Sequence, residues 1–273
     1  MKKILYTLLA GAMALVSCSK SEDMPTTPHS EATTFTLSVD ELQTRAASTI
    51  TPARYVMEVL SQDGTTAENV FENGTTNHAQ ITSGNVFTVI LDKTKAYTCL
   101  FWADDNTTFN AASLKAISLN TGKEVTEAYF SKVAVAIGKN PTVAVTLRRA
   151  VAKITLTETA AVKTTDDIAL KLSNIYGTFS VLDGAATGTA AQWTKTVKPT
   201  ATTGVIGTFY FFAKTDKELS ELKFTSGTQA EKTVSNIPVQ ENFVTNIKGE
   251  YSNVSSFTFT VTADDLWNIT PRR

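Results

Sequence analysis

Apolar and polar residues alternate along most of this chain, and a period of two commits a backbone to extended strands with one face buried and the other wet. In Thr34-Phe35-Thr36-Leu37-Ser38-Val39 every second residue is apolar. Related runs occur at Tyr55–Leu60, Val86–Leu91, Tyr97–Trp102, Val133–Ile137, Val143–Leu147, Val151–Leu156, Ile168–Leu172, Thr178–Leu182, Thr208–Ala213, Leu222–Phe224 and Phe257–Val261. They are rich in Thr, Val, Phe and Tyr, the residues that fit a pleated, half-buried surface. Turn-forming pairs separate them, among them Asp63-Gly64, Asn73-Gly74, Ser83-Gly84, Thr121-Gly122, Asn140-Pro141, Asp183-Gly184 and Ser226-Gly227. No helical pattern is longer than Ala111–Leu119, which also reads as a strand. Many short strands with frequent turns predict an all-β chain built from β-sandwiches.

At 273 residues the chain is one large domain or two ordinary ones. The alternation of Val143–Leu147 is interrupted by Arg148-Arg149-Ala150 and resumes at Val151, which places a boundary within about ten residues of position 150. The expected domains are 33–149 and 150–273, with no sequence repeat strong enough to prove duplication. Arg148 and Arg149 read as solvated or paired side chains. With 25 Lys and Arg against 26 Asp and Glu, the net charge of −1 offers no basic stripe to displace counterions from a nucleic acid.

The amino terminus has a different grammar. Lys2 and Lys3 precede an apolar run from Ile4 to Val16, too short for the roughly 20 residues of a membrane span. Leu15-Val16-Ser17-Cys18 closes it and resembles the bacterial lipobox, in which the signal is cut before a cysteine that then carries acyl chains. On that resemblance residues 1–17 are a lipoprotein signal peptide and Cys18 is the lipidation site. Each buried CH₂ contributes about 0.8 kcal/mol to membrane attachment, so several chains hold far better than one. Residues 18–32, with Ser19-Lys20-Ser21-Glu22-Asp23 and Pro25 and Pro28, are too polar to bury a core and read as a flexible tether. With Cys18 acylated, Cys99 has no partner for an intrachain disulfide and reads as a core residue.

Catalytic patterns are missing. His29 lies in the tether and His78 in a polar loop, neither at metal-ligand spacing from another ligand, and no nucleophile elbow, phosphate loop or dinucleotide fingerprint occurs. The pairs Asp104-Asp105, Asp166-Asp167 and Asp264-Asp265 are adjacent in sequence, so on a strand they face opposite ways and do not converge on one atom. Asp104-Asp105-Asn106 reads first as a loop cap and second as a calcium or sugar contact. No catalytic residue, metal or cofactor is expected, and the chain reads as a non-enzyme.

One basic residue remains. After the first strand, Asp40-Glu41-Leu42-Gln43-Thr44-Arg45-Ala46-Ala47-Ser48 puts Arg45 alone in a small, polar segment of the kind proteases cut. With the lipobox and tether, the central Leu147-Arg148-Arg149-Ala150-Val151-Ala152-Lys153-Ile154 and two Thr-rich β halves, the chain resembles the type V pilins, the fimbrillin superfamily of anaerobic gut and oral bacteria. The resemblance implies two tandem β-sandwiches of transthyretin-like, Greek-key type. It implies a surface-exposed lipoprotein of the outer membrane, held in lipid through Cys18, that becomes a structural or accessory subunit of a fimbria. An arginine-specific protease would cut between Arg45 and Ala46 and release the first strand with Phe35, Leu37 and Val39. A strand of another pilin subunit would fill the groove. Phe257, Phe259 and Val261 form the candidate donor strand, and a host or bacterial surface ligand is a further implied partner.

Only twelve residues follow Val261, a short donor arm. If that strand closes its own domain, the chain caps, anchors or decorates a fibre without extending it, and Trp267 becomes a core plug. A non-polymerising, glycan-binding lipoprotein is the alternative, in which an exposed Trp102, Trp193 or Trp267 stacks on sugar. The place of residues 33–39 bears on exchange: an edge strand can leave, whereas a strand paired on both sides is prohibitive to remove.

Overall fold

The computed structural model describes residues 29–39, 51–138, 142–159, 166–198, 204–252 and 258–264. The chain is all-β, as the alternation predicts: among the described residues the sole helical element is a three-residue 3-10 turn at Glu72–Gly74. Before residue 150 lie β1 (Ser30–Val39), β2 (Arg54–Ser61), β3 (His78–Ile81), β4 (Val86–Asp92), β5 (Tyr97–Asp104), β6 (Phe109–Asn110), β7 (Ile117–Leu119), β8 (Tyr129–Val135) and β9 (Thr142–Arg149). After it lie β10 (Val151–Glu158), β11 (Ile168–Ile175), β12 (Thr178–Ser180), β13 (Ala185–Thr187), β14 (Ala191–Val197), β15 (Gly204–Phe212), β16 (Glu218–Ser226), β17 (Lys232–Val239), β18 (Val244–Gly249) and β19 (Phe259–Asp264).

The N-terminal half is one sheet in the order β3-β2-β5-β8-β9-β1-β4. Its β8–β9 step consists of two residue pairs, Tyr129↔Arg149 and Phe130↔Arg148, and there the sheet turns a corner. The three-stranded leaf sends in Phe35, Leu37, Phe87, Val89, Val145 and Leu147, and the four-stranded leaf answers with Met57, Val59, Cys99, Phe101 and Tyr129, all in one core. In the C-terminal half the sheet β15-β10-β18-β19 faces β14-β11-β16-β17. Ile154, Leu156, Phe211 and Ile247 there meet Leu170, Leu172, Leu222, Phe224 and Ile237.

The pairing scheme occurs twice. The order β3-β2-β5-β8 matches β14-β11-β16-β17, and β4-β1-β9 matches β15-β10-β18. Both parallel ladders join the first strand of a half to one near its end, β1 to β9 and β10 to β18, and each contains six residue pairs. A short hairpin is inserted in each half, β6–β7 in the first and β12–β13 in the second. The two insertions pair with each other through Thr178↔Ser118 and Phe179↔Ile117.

This junction has its own apolar core. Trp102 and Phe109 of the first half pack with Phe179 and Phe212 of the second, with ring centroids 5.4 Å (Trp102 to Phe109), 5.8 Å (Trp102 to Phe179) and 5.6 Å (Phe109 to Phe212) apart. Consequently β5 is buried along its whole length: Leu100 and Trp102 face the junction, while Cys99 and Phe101 face the leaf behind. Ala150, the residue between β9 and β10, is buried in the same junction. Buried polar groups tie the insertion down. Arg54 pairs with Asp104 and also donates to the Phe109 carbonyl at 3.0 Å, while Glu58 accepts from the Leu114 amide at 2.5 Å.

Several strands carry little of the period-two signal. β14 has only Trp193 and Val197 as large apolar residues, since it is an edge strand. β17 is bulged where Ser220 and Leu222 shift register against it, which moves Val234 and Ile237 out of simple alternation. β18 turns Thr245, Ile247 and Gly249 inward, two of them not hydrophobic. At the other extreme, the Val133–Ile137 run overshoots: β8 ends at Val135 and Ile137 is exposed.

Because the junction core draws on both halves, Phe179→Ala should destabilise the whole molecule by about 3–5 kcal/mol, the usual cost of a large buried aromatic. Guanidinium unfolding followed by tryptophan fluorescence and by circular dichroism should give coincident transitions. Separate transitions for the two halves would contradict a shared core.

Candidate functional site

The alternation of β1 seats it between two strands. It pairs antiparallel with β4 from Ser30↔Asp92 to Thr36↔Val86, and parallel with β9 from Thr34↔Thr142 to Val39↔Leu147. Phe35 and Leu37 are 0% exposed, Val39 is half-buried, and the Phe35 ring lies 5.3 Å from that of Phe101. Asn85 clamps the end of the strand: its backbone carbonyl accepts from the Leu37 amide at 2.9 Å, and its Nδ2 donates to the Leu37 carbonyl at 2.6 Å. Burying Phe35 and Leu37 contributes about 1.5–3 kcal/mol each. β1 is thus not an edge strand but is paired on both sides, the position named above as prohibitive for removal. Its removal would open two rows of backbone donors and acceptors around an apolar slot, the situation in which a replacement strand gains most. Cys18, Arg45 and Ala46 lie outside the described residues.

The C-terminal strand β19 is an edge strand paired antiparallel to β18 from Val244↔Asp264 to Gly249↔Phe259. Phe259 and Val261 pack on the core of their own half, and the Phe259 ring sits 4.8 Å from Tyr251 and 5.3 Å from Phe224. This seat depends on a missing side chain, because a Cβ at Gly249 would overlap the Phe259 ring. Phe257 and Trp267 lie outside the described residues. Buried Glu158 supports the preceding turn, accepting from the Tyr251 amide at 3.1 Å and from the Ser252 amide and hydroxyl at 3.0 Å. Neither Gly249 nor Glu158 carries a local sequence signal; only the strand pairing gives them a task.

The tryptophans divide. Trp102 is wholly buried and donates through Nε1 to Asp104 at 2.7 Å. Trp193 is half-buried, with its ring 4.8 Å from Phe209 and 5.1 Å from Phe211. It lines a cleft of about 250 Å³ between the halves, with Tyr176 and Tyr210 in the wall and Lys123, Glu124 and Gln192 as polar lining.

Several of the remaining titratable groups have structural partners. Asp105 accepts from the Thr107 and Thr108 amides and caps its loop, as Asp-rich turns do. Asp166 and Asp167 are exposed. His78 Nε2 is 2.9 Å from the Ala111 carbonyl. Burial pushes the Cys99 thiol up to about 12, so it stays protonated and inert. The paired reading of the two central arginines holds: Arg149 is buried beside Glu127, and Arg148 meets Glu241 of the second half at 3.2 Å while its guanidinium lies 4.5 Å from the Phe130 ring centre. Burial raises Glu241 to about 7, against the opposing pull of Arg148 and the Thr215 hydroxyl. Among the described residues no group of three or more His, Cys, Asp or Glu could hold a metal ion.

Solved structures share this architecture. A candidate adhesin from Bacteroides thetaiotaomicron matches with a TM-score of 0.54 at 10% identity, covering 86% of this chain and 96% of that one. Another structure from Bacteroides thetaiotaomicron, described as a candidate polysaccharide-binding protein, matches with a TM-score of 0.54 at 11% identity, covering 86% and 96%. A candidate cell adhesion protein from Bacteroides ovatus matches with a TM-score of 0.52 at 14% identity, covering 88% and 98%. At these identities the likeness is one of fold. No curated protein matches the chain. A family model described as a family of unknown function, DUF6562, matches residues 25–268.

The Glu241 shift has a defined sign. A carboxyl that keeps its proton up to about 7 when folded, against an ordinary 4.5, favours the folded state at low pH, and this stability is lost as pH rises through the folded value. Unfolding free energy should therefore fall between about pH 4.5 and 7, and Glu241→Gln should flatten that slope. An unchanged slope in denaturant titrations across this range would remove Glu241 as its source.

Proposed function

Because the chain belongs to the DUF6562 family, whose function is unknown, no activity comes with the family, and we propose that the protein is a non-enzymatic subunit of an adhesive fimbria at the bacterial surface. What supports this reading is that loss of β1 would open an apolar slot between β4 and β9, although pairing on both sides weighs against its removal unless a replacement strand enters as it leaves. The common fold with proteins described as candidate adhesins is compatible with it. On this reading residues 33–149 and 150–273 are two tandem sandwich domains behind a tether, and acylated Cys18 holds the chain in the outer membrane. A cut by an arginine-specific protease between Arg45 and Ala46 frees β1 for exchange with a strand of another subunit.

Double pairing sets the order of events. The cut alone leaves β1 in place, and withdrawal must be coupled to entry of a replacement that restores both ladders and fills the places of Phe35 and Leu37. The fit of Phe259 over Gly249 favours an accessory role, a cap, anchor or decorating subunit, because donating β19 would unseat the ring from its own core. Surface material should contain a peptide beginning at Ala46, and Arg45→Ala should leave the chain as a membrane-bound monomer. Cys18→Ala should abolish labelling by a fatty-acid analogue. Fimbriae that contain only chains uncut at Arg45 would refute the exchange step.

One observation favours a second reading, binding of glycan without polymerisation. Trp193 stays half-exposed in a cleft with Tyr176, Tyr210, Gln192 and Lys123, the mixture of aromatic faces and polar groups that suits sugar rings. One of the proteins of like fold is described as polysaccharide-binding. Trp193→Ala should then abolish retention on immobilised bacterial polysaccharide while leaving the Arg45-dependent peptide unchanged. Retention equal to that of the unmodified chain would eliminate this reading.

A further inference from the structure

The duplicated pairing scheme differs between the halves on the side where the outermost strands are β3 and β4 in the first half and β14 and β15 in the second. In the first half the connection from β2 to β3, residues 62–77, lays Val70 and Phe71 on the core together with Ala79 and Ile81 of β3. The matching connection of the second half, from β11 to β14, is occupied by the β12–β13 hairpin, which goes to the junction instead. Trp193 and Val197 of β14 and Ile206 and Phe209 of β15 therefore stay half-buried at the margin of their core. The cleft of about 250 Å³ opens beside Trp193 and Phe209.

We infer that this cleft holds one ring of a negatively charged sugar, a carboxylated or sulfated unit of a glycan, with its anion on Lys123. The inference rests on the glycan reading above and adds the charge of the ligand to it. Of the residues that line the cleft only Lys123 and Glu124 are charged. Glu124 is already paired: its Oε1 accepts from Lys195 Nζ of β14 at 2.5 Å, an ion pair that joins the two halves. Lys123 is exposed and has no ion-pair partner among the described residues. The rim of an aromatic-walled slot thus carries one uncompensated positive charge, which favours an anion there.

Each part of such a sugar has a counterpart in the cleft. The C–H face of a ring packs on the aromatic wall, where Trp193 and Phe209 lie 4.8 Å apart. Ring hydroxyls meet Gln192 and Thr208, which line the cleft, are exposed, and make no side-chain hydrogen bond among the described residues. Tyr176 serves as fixed wall, since its hydroxyl donates to Glu218 at 2.9 Å and Lys214 Nζ lies 4.7 Å from its ring centre. The volume is below the roughly 300–1,000 Å³ of pockets for drug-sized ligands, so a single ring enters and the rest of the glycan stays outside. A neutral sugar would leave Lys123 unused, and a fatty or aromatic acid would leave Gln192 and Thr208 unused.

The test is calorimetric titration of the full chain carrying Cys18→Ser with matched oligosaccharides of galactose, galacturonic acid and sulfated galactose, and with the same three forms of glucose. At low salt at least one charged form should bind about fivefold tighter than its neutral counterpart, the upper end of what one exposed ion pair gives, and which one it is identifies the anion as carboxylate or sulfate. The preference should vanish at about 1 M salt, where the screening length is about 3 Å. Lys123→Gln, at an exposed position that tolerates exchange, should bring the charged forms to the neutral level and leave neutral binding unchanged. Trp193→Ala should remove binding of every form. Equal affinity for charged and neutral forms, or a preference that survives Lys123→Gln, would overturn the inference and leave the glycan reading standing. No binding of any form, or binding that Trp193→Ala does not weaken, would overturn both. Tighter binding of octanoate or indole-3-acetate than of any sugar would overturn both as well, in favour of an apolar acid.

Discussion

Each half of the molecule is closed by a parallel ladder between its first strand and one near its end, β1 with β9 and β10 with β18. Among the described residues every other ladder is antiparallel, and these two contacts bring the first strand of each half to one near its end. They also decide what an exchange reaction would have to overcome. A strand held by one ladder can peel away from its neighbour. β1 is held by two, with Phe35 against Phe101 in the core between the leaves, and only a substitute of similar alternation can take its place at comparable cost.

The junction core has a second consequence. Both halves insert a hairpin at the point where they meet, and the insertions pair with each other and pack through Phe109 and Phe179 against Trp102 and Phe212. The four-stranded leaf of the first half is thus covered on both faces, and Arg54, Asp104 and Glu58 are buried because the hairpin lies over them. This fixes the relative orientation of the halves and forms the cleft that exposes part of Trp193.

Two glycine and leucine positions illustrate how a duplicated scheme can diverge. Gly249 accommodates an aromatic ring from β19, whereas Leu147, at the matching point of its parallel ladder, is itself fully buried.

The sequence alone determined the all-β character and the position of most core strands, because period-two alternation is a local property that burial of one face imposes residue by residue. It also assigned Asp105 its task as a loop cap, which follows from short-range chemistry, and read the central arginines as solvated or paired, while their partners Glu127 and Glu241 were supplied by tertiary structure. β14, β17 and β18 were not legible: an edge strand needs few apolar residues, a bulge shifts the phase, and Thr245 and Gly249 point inward without being hydrophobic. The double pairing of β1, the twofold repeat of the pairing order, the junction core and the seat of Phe259 were decided only by tertiary structure. They depend on which strands meet across more than a hundred residues of chain, as in Phe35↔Val143, and no local pattern encodes the neighbour that a strand will find.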